Sequence, residues 1–267
     1  MSKAGAAPEE GELVKFETQG HVAVFTLDRP KAMNAVSGAL SQRFEALLER
    51  FEADDNLWIG VVCSSHAKVF AAGADLKAIS RGENLATKKG GFAGMVHFPR
   101  TKPLIAAVDG AALAGGCEIV LSCDMVVASK SARFGLPEVK RSLVPAAGGL
   151  FRLPRKIPQA VAMEMLLTGD PLPAERMYQL GLVNQLTETG QALAGALALA
   201  KRIEVNAPLA VREARKVAVS LELADDARAW KESAESIKRL SQTPDFFEGP
   251  KAFAEKREPK WTGKAKL

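Results

Sequence analysis

The sequence predicts an α/β fold in which a core of alternating strands and helices is followed by an all-helical C-terminal part. Two observations predict it. Short β-branched runs alternate with segments of helical apolar period as far as residue 190, and only helical periods follow. The 267 residues, 47% of them hydrophobic, suffice for one sizeable core with an appendage.

The N-terminal third predicts a hairpin, a long helix and a buried strand. Segments 13–16 and 21–27 have the composition of strands, and Gln19-Gly20 between them is typical of a turn. Apolar residues recur at helical spacing over 37–54, which predicts an amphipathic helix. The β-branched run 58–63 predicts a buried strand.

The next segments repeat this alternation. A short helix is predicted over 75–80, followed by a polar, glycine-rich loop from Arg81 to Gly94. A loop of this length is often a lid or a specificity element, and plain surface variability explains it equally well. Strands at 104–108 and 125–128 flank a helix that starts at Gly116. The remaining helices are predicted at 158–168, 192–206, 208–223 and 225–242.

Composition argues against several classes of protein. There is no run of about 18 apolar residues, so we expect no membrane span. The acidic segment 1–12 lacks the apolar centre of a signal peptide, and we expect it to be a disordered lead-in. Three cysteines in apolar segments indicate buried, reduced thiols in a cytoplasmic protein. The three histidines are scattered, so we expect neither a metal site nor a serine or cysteine triad.

The net charge of +5 raises the question of an anionic partner. Nucleic-acid binding favours clustered basic residues with interleaved aromatics, whereas here the basic residues are spread and aromatics make up 6%. The most basic stretch, Lys251 to Lys264, is either a solvated tail or positive charge offered to phosphate groups. We therefore do not expect nucleic acid as the main partner.

Two short segments carry the pattern of a site for chemistry at a carbonyl group. Gly115 and Gly116 open an apolar helix with Glu118 in its first turn. Unpaired N–H groups at a helix start can bind a developing oxyanion, and glycine lets a ligand approach the backbone closely. Small residues at 71–74 likewise precede Asp75, a plausible N-cap. Each segment could give one N–H to a single oxygen, although a tight turn with a capping glutamate explains the first equally simply.

With these segments the chain resembles the enoyl-CoA hydratase/isomerase (crotonase) superfamily. Each matching segment is weakly specific alone, but the set keeps the family's order across nearly the whole chain and is together highly specific. The segments are 28–35, 70–77, 103–110, 115–118, 134–138, 148–154, 181–184 and 253–257.

The resemblance implies a fold and an assembly. The fold is a spiral of ββα units with two roughly perpendicular sheets, which we place at 13–195 together with an acyl-CoA site. The C-terminal helices, at 196–267, would mediate trimer contacts, and such trimers commonly pair into hexamers. The expected protein is a cytoplasmic homo-oligomer, a trimer or a dimer of trimers, that acts on an acyl-CoA thioester, as in fatty-acid β-oxidation. It needs no separate cofactor because coenzyme A is part of the substrate.

The resemblance also assigns roles within the site. Ala74 and Gly115 supply the two oxyanion-hole N–H groups that hold the thioester carbonyl oxygen. Glu118 matches the glutamate that holds and activates water, and Glu138 matches the one that exchanges the α-proton. The presence of both glutamates favours an enoyl-CoA hydratase, or the reverse dehydratase, because family members with other activities often lack one of the pair.

Contacts with coenzyme A follow from the same resemblance. Lys31 and Lys77 stand where the family places basic residues near the nucleotide phosphates. The backbone carbonyl of Ala72 stands where the adenine amino group is bound. Lys256 matches a lysine that reaches the ligand from a neighbouring subunit.

One departure keeps other functions open. Many hydratases have a glycine where this chain has Ala146, and alanine is poorly tolerated if the backbone there requires a positive φ. The alternatives within the fold are an enoyl-CoA isomerase, which needs one base, and a relative of carnitinyl-CoA dehydratase, which the stretch 134–154 resembles. A different class is a non-catalytic, RNA-binding homologue. The net charge of +5 favours it, and the presence of both glutamates disfavours it.

Overall fold

The computed structural model describes residues 12–260, without the side chains of 220–229, 232, 233, 236, 239 and 240. Within this range lie twelve strands and nine α-helices. The strands are β1 Val14–Gln19, β2 Val22–Leu27, β3 Ile59–Ser64, β4 Val69–Ala71, β5 Ala86–Thr87, β6 Gly91–Phe92, β7 Leu104–Val108, β8 Ala111–Leu113, β9 Met125–Ser129, β10 Arg133–Gly135, β11 Leu172–Pro173 and β12 Gln185–Thr187.

The helices follow the predicted order through most of the chain. They are α1 Gly38–Ala53, α2 Leu76–Ser80, α3 Gly115–Ser122, α4 Gly149–Lys156, α5 Gln159–Thr168, α6 Ala174–Gln179, α7 Ala192–Glu204, α8 Pro208–Leu240 and α9 Pro244–Ala254. Two 3-10 helices occur as well, at Pro30–Ala32 and Pro137–Arg141. The predicted lead-in 1–12 lies outside the described residues except for Glu12.

Two principal sheets organise the core. The large sheet has the order β1-β2-β3-β7-β9-β12, and the small sheet has the order β11-β10-β8-β4. Strands β3, β7 and β9 are parallel neighbours in the large sheet, and each is followed by a strand of the small sheet, β4, β8 and β10 respectively. A helix or 3-10 helix comes after each of these second strands. The chain therefore repeats a ββα unit three times, and the predicted α/β core is confirmed.

The large sheet is covered on both faces. On one face, Phe44 and Phe51 of α1 pack against Phe25 of β2, with ring centroids 5.5 and 5.6 Å apart. On the other face, Ala196 and Ala200 of α7 join a second buried cluster formed by alternate strand residues. Parallel strands that are buried on both faces appear in a sequence as continuous apolar runs, which is why they were predictable here.

The C-terminal part differs from its prediction in two places. The helices predicted at 208–223 and 225–242 are wrong as separate elements, because one helix, α8, runs from Pro208 to Leu240. No glycine or proline occurs between 209 and 240 to end it. The basic stretch does not begin as a solvated tail, since its first residues belong to α9, which is capped by Thr243 and starts with Pro244. The boundary predicted at 195/196 falls within α7.

Among the described residues, no helix is both long enough and apolar enough to span a bilayer.

The loop before α1 is tied to the core by one buried side chain. Asn34 is fully buried, and its Oδ1 accepts a hydrogen bond of 2.8 Å from the Arg29 backbone N–H. Its Nδ2 donates to Ser64 Oγ at 2.7 Å and to the Phe70 carbonyl at 3.0 Å. A single amide thus joins this loop to the last residue of β3 and to the middle of β4.

We expect Asn34→Ala to lower the free energy of unfolding by at least about 2 kcal/mol, because leaving a buried polar group unpaired costs about 1–3 kcal/mol. Denaturant unfolding of the variant measures this. The matched control is Asn56→Ala, which removes an exposed amide bonded to nearby Asp54 and should change stability by less than about 0.5 kcal/mol. Equal effects in the two variants would contradict the assigned role of Asn34.

Candidate active site

The ends of three parallel strands in the small sheet meet at one edge. Strand β8 is paired in parallel with β4 on one side and with β10 on the other. Ala74 follows the end of β4, Gly115 follows β8, and Glu138 follows β10. Because the carboxyl ends of neighbouring parallel strands lie side by side, three of the predicted site residues are brought to this edge.

The two predicted oxyanion-hole loops are in contact. A Cβ at Gly73 would lie 2.8 Å from the Ala114 Cβ and 3.0 Å from the Gly115 nitrogen, so the two loops approach each other more closely than a side chain at position 73 would allow. Gly115 is the first residue of α3, and its N–H therefore has no acceptor within the helix. The Val36 N–H donates to the Gly73 carbonyl, and the Val36 carbonyl accepts from the Asp75 N–H. In such a parallel bridge the N–H of the intervening residue, Ala74, points away from Val36.

Different interactions fix the two loops. Asp75 caps α2 by accepting from the N–H groups of Lys77 and Ala78, and it is paired with the guanidinium of Arg29 at 3.1 Å. Both partners of this pair are less than 15% exposed. On the other side, Ala114 has a φ of 51°, a left-handed conformation that is strained for a residue with a Cβ. Its N–H donates to the Gly135 carbonyl at 2.9 Å.

Glu118 lies in the first turn of α3 and is 3% exposed. Its Oε1 accepts a hydrogen bond of 2.9 Å from the Gly149 N–H at the start of α4. Burial raises the pKa of Glu118 to about 7, while hydrogen bonds from Gly149 and Ala147 and the charge of Arg152 oppose that rise. The carboxyl is therefore poised to titrate near neutral pH.

Glu138 lies in the first turn of the 3-10 helix Pro137–Arg141. Its Oε2 is shielded from solvent and, within residues 12–260, has no hydrogen-bond partner. Burial, together with the neighbouring charge of Glu118, raises the pKa of Glu138 to about 8. The two predicted catalytic carboxyls are thus close enough to interact, so that ionisation of Glu118 disfavours ionisation of Glu138.

The 3-10 helix that carries Glu138 is pressed between two glycines. A Cβ at Gly249 of α9 would lie 2.3 Å from the Arg141 carbonyl oxygen, and a Cβ at Gly169 would lie 3.1 Å from Pro137 Cα. Gly169 also has a φ of 67° and ends α5. Helix α9 therefore packs closely against the 3-10 helix that carries Glu138 in the same chain.

The substitution of alanine at 146 does not strain the backbone. Ala146 is not among the residues with positive φ, whereas Gly148 two positions later has a φ of 110°. The glycine that the turn requires is therefore retained at Gly148, and Gly149 supplies the N–H that binds Glu118. The sequence placed Gly148 and Gly149 in a family motif but did not assign the contact with Glu118, because that contact spans 31 residues.

The four predicted coenzyme A contacts fall into two places. The Ala72 N–H donates to the Met33 carbonyl at 3.1 Å, which joins the Ala74 loop to the first 3-10 helix with Lys31. Lys77 lies in α2, and Lys31, Ala72 and Lys77 are all exposed. Lys256 is exposed just after α9, and none of the described contacts joins it to the Ala74 loop.

A cavity of about 880 Å³ lies at the opposite end of α3. Its walls include Leu121, Cys123, Arg152 and Arg215, and neither Glu118 nor Glu138 borders it. Arg152 borders the cavity and also lowers the pKa of Glu118. Arg152 therefore links this cavity to the electrostatic surroundings of Glu118.

The raised pKa values make a prediction about stability. A carboxyl with a folded pKa above its usual 4.5 binds its proton more tightly in the folded chain, so folding takes up protons between about pH 4.5 and 8 and stability falls as pH rises through that range. We expect Glu118→Gln and Glu138→Gln to flatten this fall and to raise the melting temperature near pH 8. Thermal unfolding from about pH 5 to 9 measures the effect.

The control for this measurement is Glu164→Gln, which neutralises an exposed carboxyl on α5. Its melting temperature should follow that of the unmodified protein across the range. If the variants at 118 and 138 showed the same pH dependence as this control, the two carboxyls would not be held with raised pKa values.

The chain is similar to known proteins over nearly its whole length. The family model for enoyl-CoA hydratase/isomerase matches residues 17–264. A carnitinyl-CoA dehydratase of Proteus mirabilis is 36% identical over 254 residues, which are 92% of this chain and 97% of the relative. A second carnitinyl-CoA dehydratase, from Citrobacter koseri, is 36% identical over 95% of this chain and 99% of its own length.

Solved structures agree with this. A carnitinyl-CoA hydratase from Mycobacterium avium has a TM-score of 0.91 at 45% identity, over 94% of this chain and 99% of that one. An enoyl-CoA hydratase from Mycobacterium tuberculosis has a TM-score of 0.77 at 44% identity, with the same shares covered. The fold and the ordered motifs therefore have one explanation, and the chain belongs to the enoyl-CoA hydratase/isomerase family.

Proposed function

We propose that this protein is a hydro-lyase that adds water across the 2,3 double bond of a 2-enoyl-CoA to give a 3-hydroxyacyl-CoA, or catalyses the reverse dehydration. The observation that carries the proposal is the placement of the buried Glu118 and the partly buried Glu138, close enough to raise each other's cost of ionisation, beside two N–H groups at one sheet edge. Coenzyme A enters as part of the substrate, and no other cofactor takes part in the proposed steps.

The backbone groups act on the thioester. The carbonyl oxygen accepts hydrogen bonds from the Ala74 and Gly115 N–H groups, which stabilise the enolate formed while the double bond is attacked. Removal of one donor of this kind typically costs about 10²–10³ in rate. The contact between Gly73 and Gly115 supports this assignment, since it brings the two donors together.

The carboxyls divide the proton transfers. Burial raises the pKa of both carboxyls, and the charge of Glu118 raises the pKa of Glu138 further, which favours a pair that holds one proton. For hydration we assign that proton to Glu138. Glu118 accepts a proton from water as the water oxygen bonds to Cβ, and Glu138 delivers its proton to Cα. The dehydration reverses both transfers. Proton exchange then restores the starting state of the pair.

Two other activities share these residues. The curated relatives named carnitinyl-CoA dehydratase make a substituted acyl group the second candidate, and it requires the same two carboxyls. An isomerase would use Glu138 alone and would leave the buried, hydrogen-bonded Glu118 without a task. An RNA-binding role is not favoured by any contact in the site.

We also propose that the nucleotide end of coenzyme A lies along Lys31, Ala72 and Lys77, whose exposed positions adjoin the Ala74 loop. Lys256 would reach this ligand from a neighbouring subunit of a trimer or a dimer of trimers, as expected for a cytoplasmic enzyme of fatty-acid oxidation. None of the hydrogen bonds or ion pairs of the described residues joins Lys256 to the Ala74 loop within one chain, which is consistent with a contact in trans.

The reaction is tested with crotonyl-CoA in D₂O, followed by loss of enoyl absorbance and by mass spectrometry of the product. Hydration gives 3-hydroxybutyryl-CoA with one deuterium at Cα. An enoyl-CoA product that has gained no water and has a shifted double bond would instead indicate isomerisation. If crotonyl-CoA is inert, a panel of longer, branched and carnitine-derived thioesters decides whether the substrate or the activity is wrong.

We expect Glu118→Gln and Glu138→Gln each to lower kcat by at least about 10²–10⁴, the range for a positioned acid or base. Binding of a saturated acyl-CoA should change little, because glutamine keeps the size of the side chain. Stopped-flow kinetics and calorimetric titration measure the two quantities. Near-full hydration by either variant would remove that glutamate from the mechanism.

The lysines make a separate prediction. Lys31→Ala and Lys77→Ala should raise KM for crotonyl-CoA with little change in kcat, because the nucleotide phosphates lie far from the reacting carbons. The same reaction with a crotonyl N-acetylcysteamine thioester, which lacks those phosphates, is the control and should not respond. A KM that rises equally for both substrates would exclude a phosphate contact.

A further inference from the structure

The loop that was predicted as a lid or specificity element brings an aromatic ring to the oxyanion hole. A Cβ at Gly115 would lie 2.5 Å from both Cε1 and Cζ of Phe92, so the edge of this ring rests on the Gly115 backbone. Phe92 ends the two-stranded hairpin formed by β5 and β6. It packs partly buried at the margin of the main core.

The ring is held in place by the first long helix. Glu45 of α1 accepts hydrogen bonds of 2.5 Å from Thr87 Oγ1 and from the Gly90 N–H, which closes the tip of the hairpin. The Phe92 carbonyl then accepts from the N–H groups of Met95 and Val96. Bonds on both sides of Phe92 thus leave its backbone little freedom to carry the ring away from Gly115.

The turn around Phe92 also carries backbone strain. Gly91, Ala93 and Gly94 all have a positive φ, and Ala93 is a fully buried residue with a φ of 56°. A non-glycine residue in this region costs about 1–3 kcal/mol and persists only where the surroundings impose it. A Cβ at Gly94 would lie 2.0 Å from the Ser41 carbonyl oxygen, so α1 imposes this path.

From these contacts we propose that Phe92 is a specificity-determining residue that limits branching of the acyl group close to the thioester. The inference rests on the proposed function, in which the Gly115 N–H binds the thioester oxygen. Standard bond lengths place Cα about 2.4 Å from that oxygen. A ring that touches Gly115 therefore stands beside the first acyl carbons, where it accommodates an unbranched chain and excludes a methyl branch.

The test uses two saturated thioesters of equal carbon number, butyryl-CoA and isobutyryl-CoA, which differ only in the branch at Cα. Calorimetric titration gives their dissociation constants for the unmodified protein, Phe92→Ala and Phe92→Leu. We expect the unmodified protein to prefer butyryl-CoA and Phe92→Ala to shift the ratio toward isobutyryl-CoA by at least about tenfold, since one methylene is worth about 10–200-fold in such a pocket. Phe92→Leu should shift it less.

The matched control is Phe98→Leu, which alters a buried ring six residues after Phe92 that packs against the Lys89 ammonium group. Its binding ratio should equal that of the unmodified protein. If Phe92→Ala does not fold, the ratio for Phe92→Leu decides. An unchanged ratio in a folded Phe92 variant overturns the proposal.

Because neither thioester can be hydrated, this measurement does not depend on turnover. Hydration of crotonyl-CoA is measured on the same preparations. Absence of hydration with crotonyl-CoA and with the panel of other thioesters would reject the proposed function, while the binding ratio would still decide the role of Phe92.

Discussion

The site depends on the parallel pairing of three short strands, β4, β8 and β10, whose carboxyl ends share one sheet edge. Each strand has three residues, so the pairing places the following residue of each segment within a narrow space. Two backbone donors and one carboxyl come from different ββα units through this single constraint. A second carboxyl, Glu118, follows because α3 starts at the edge and turns its first-turn side chain inward.

The arrangement has an energetic cost that the rest of the fold offsets. Two carboxyls are held away from water, and Ala114 and Ala93 adopt left-handed conformations. Such features lower stability and are typical of functional sites. The compensation comes from the large sheet, where aromatic and aliphatic side chains are buried on both faces, and from the amide of Asn34 beneath the loops.

The helices that surround the edge have distinct tasks. α1 holds the hairpin with Phe92 through Glu45, and α4 binds Glu118 through the N–H of Gly149. α9 supports the 3-10 helix with Glu138 through the close approach of Gly249. The C-terminal part, which the resemblance assigned to oligomer contacts and to a ligand contact of Lys256 in a neighbouring subunit, thus also packs against the 3-10 helix with Glu138 in its own chain.

The sequence by itself determined the elements whose signals are local. Apolar period and turn residues located the first hairpin, α1 and strands β3, β7 and β9, and the ordered motifs identified the family. The assignment of Ala74, Gly115, Glu118 and Glu138 to the site stays a prediction. It misjudged the middle of α8, where local signals for a break were weak and no glycine or proline stops the helix. Only the tertiary structure decided the contact of Gly149 with Glu118, the support of Glu138 by Gly249, and the place of Phe92 at Gly115. These contacts join residues far apart in the chain, and whether they form depends on strand pairing and close backbone approach, which no local pattern encodes.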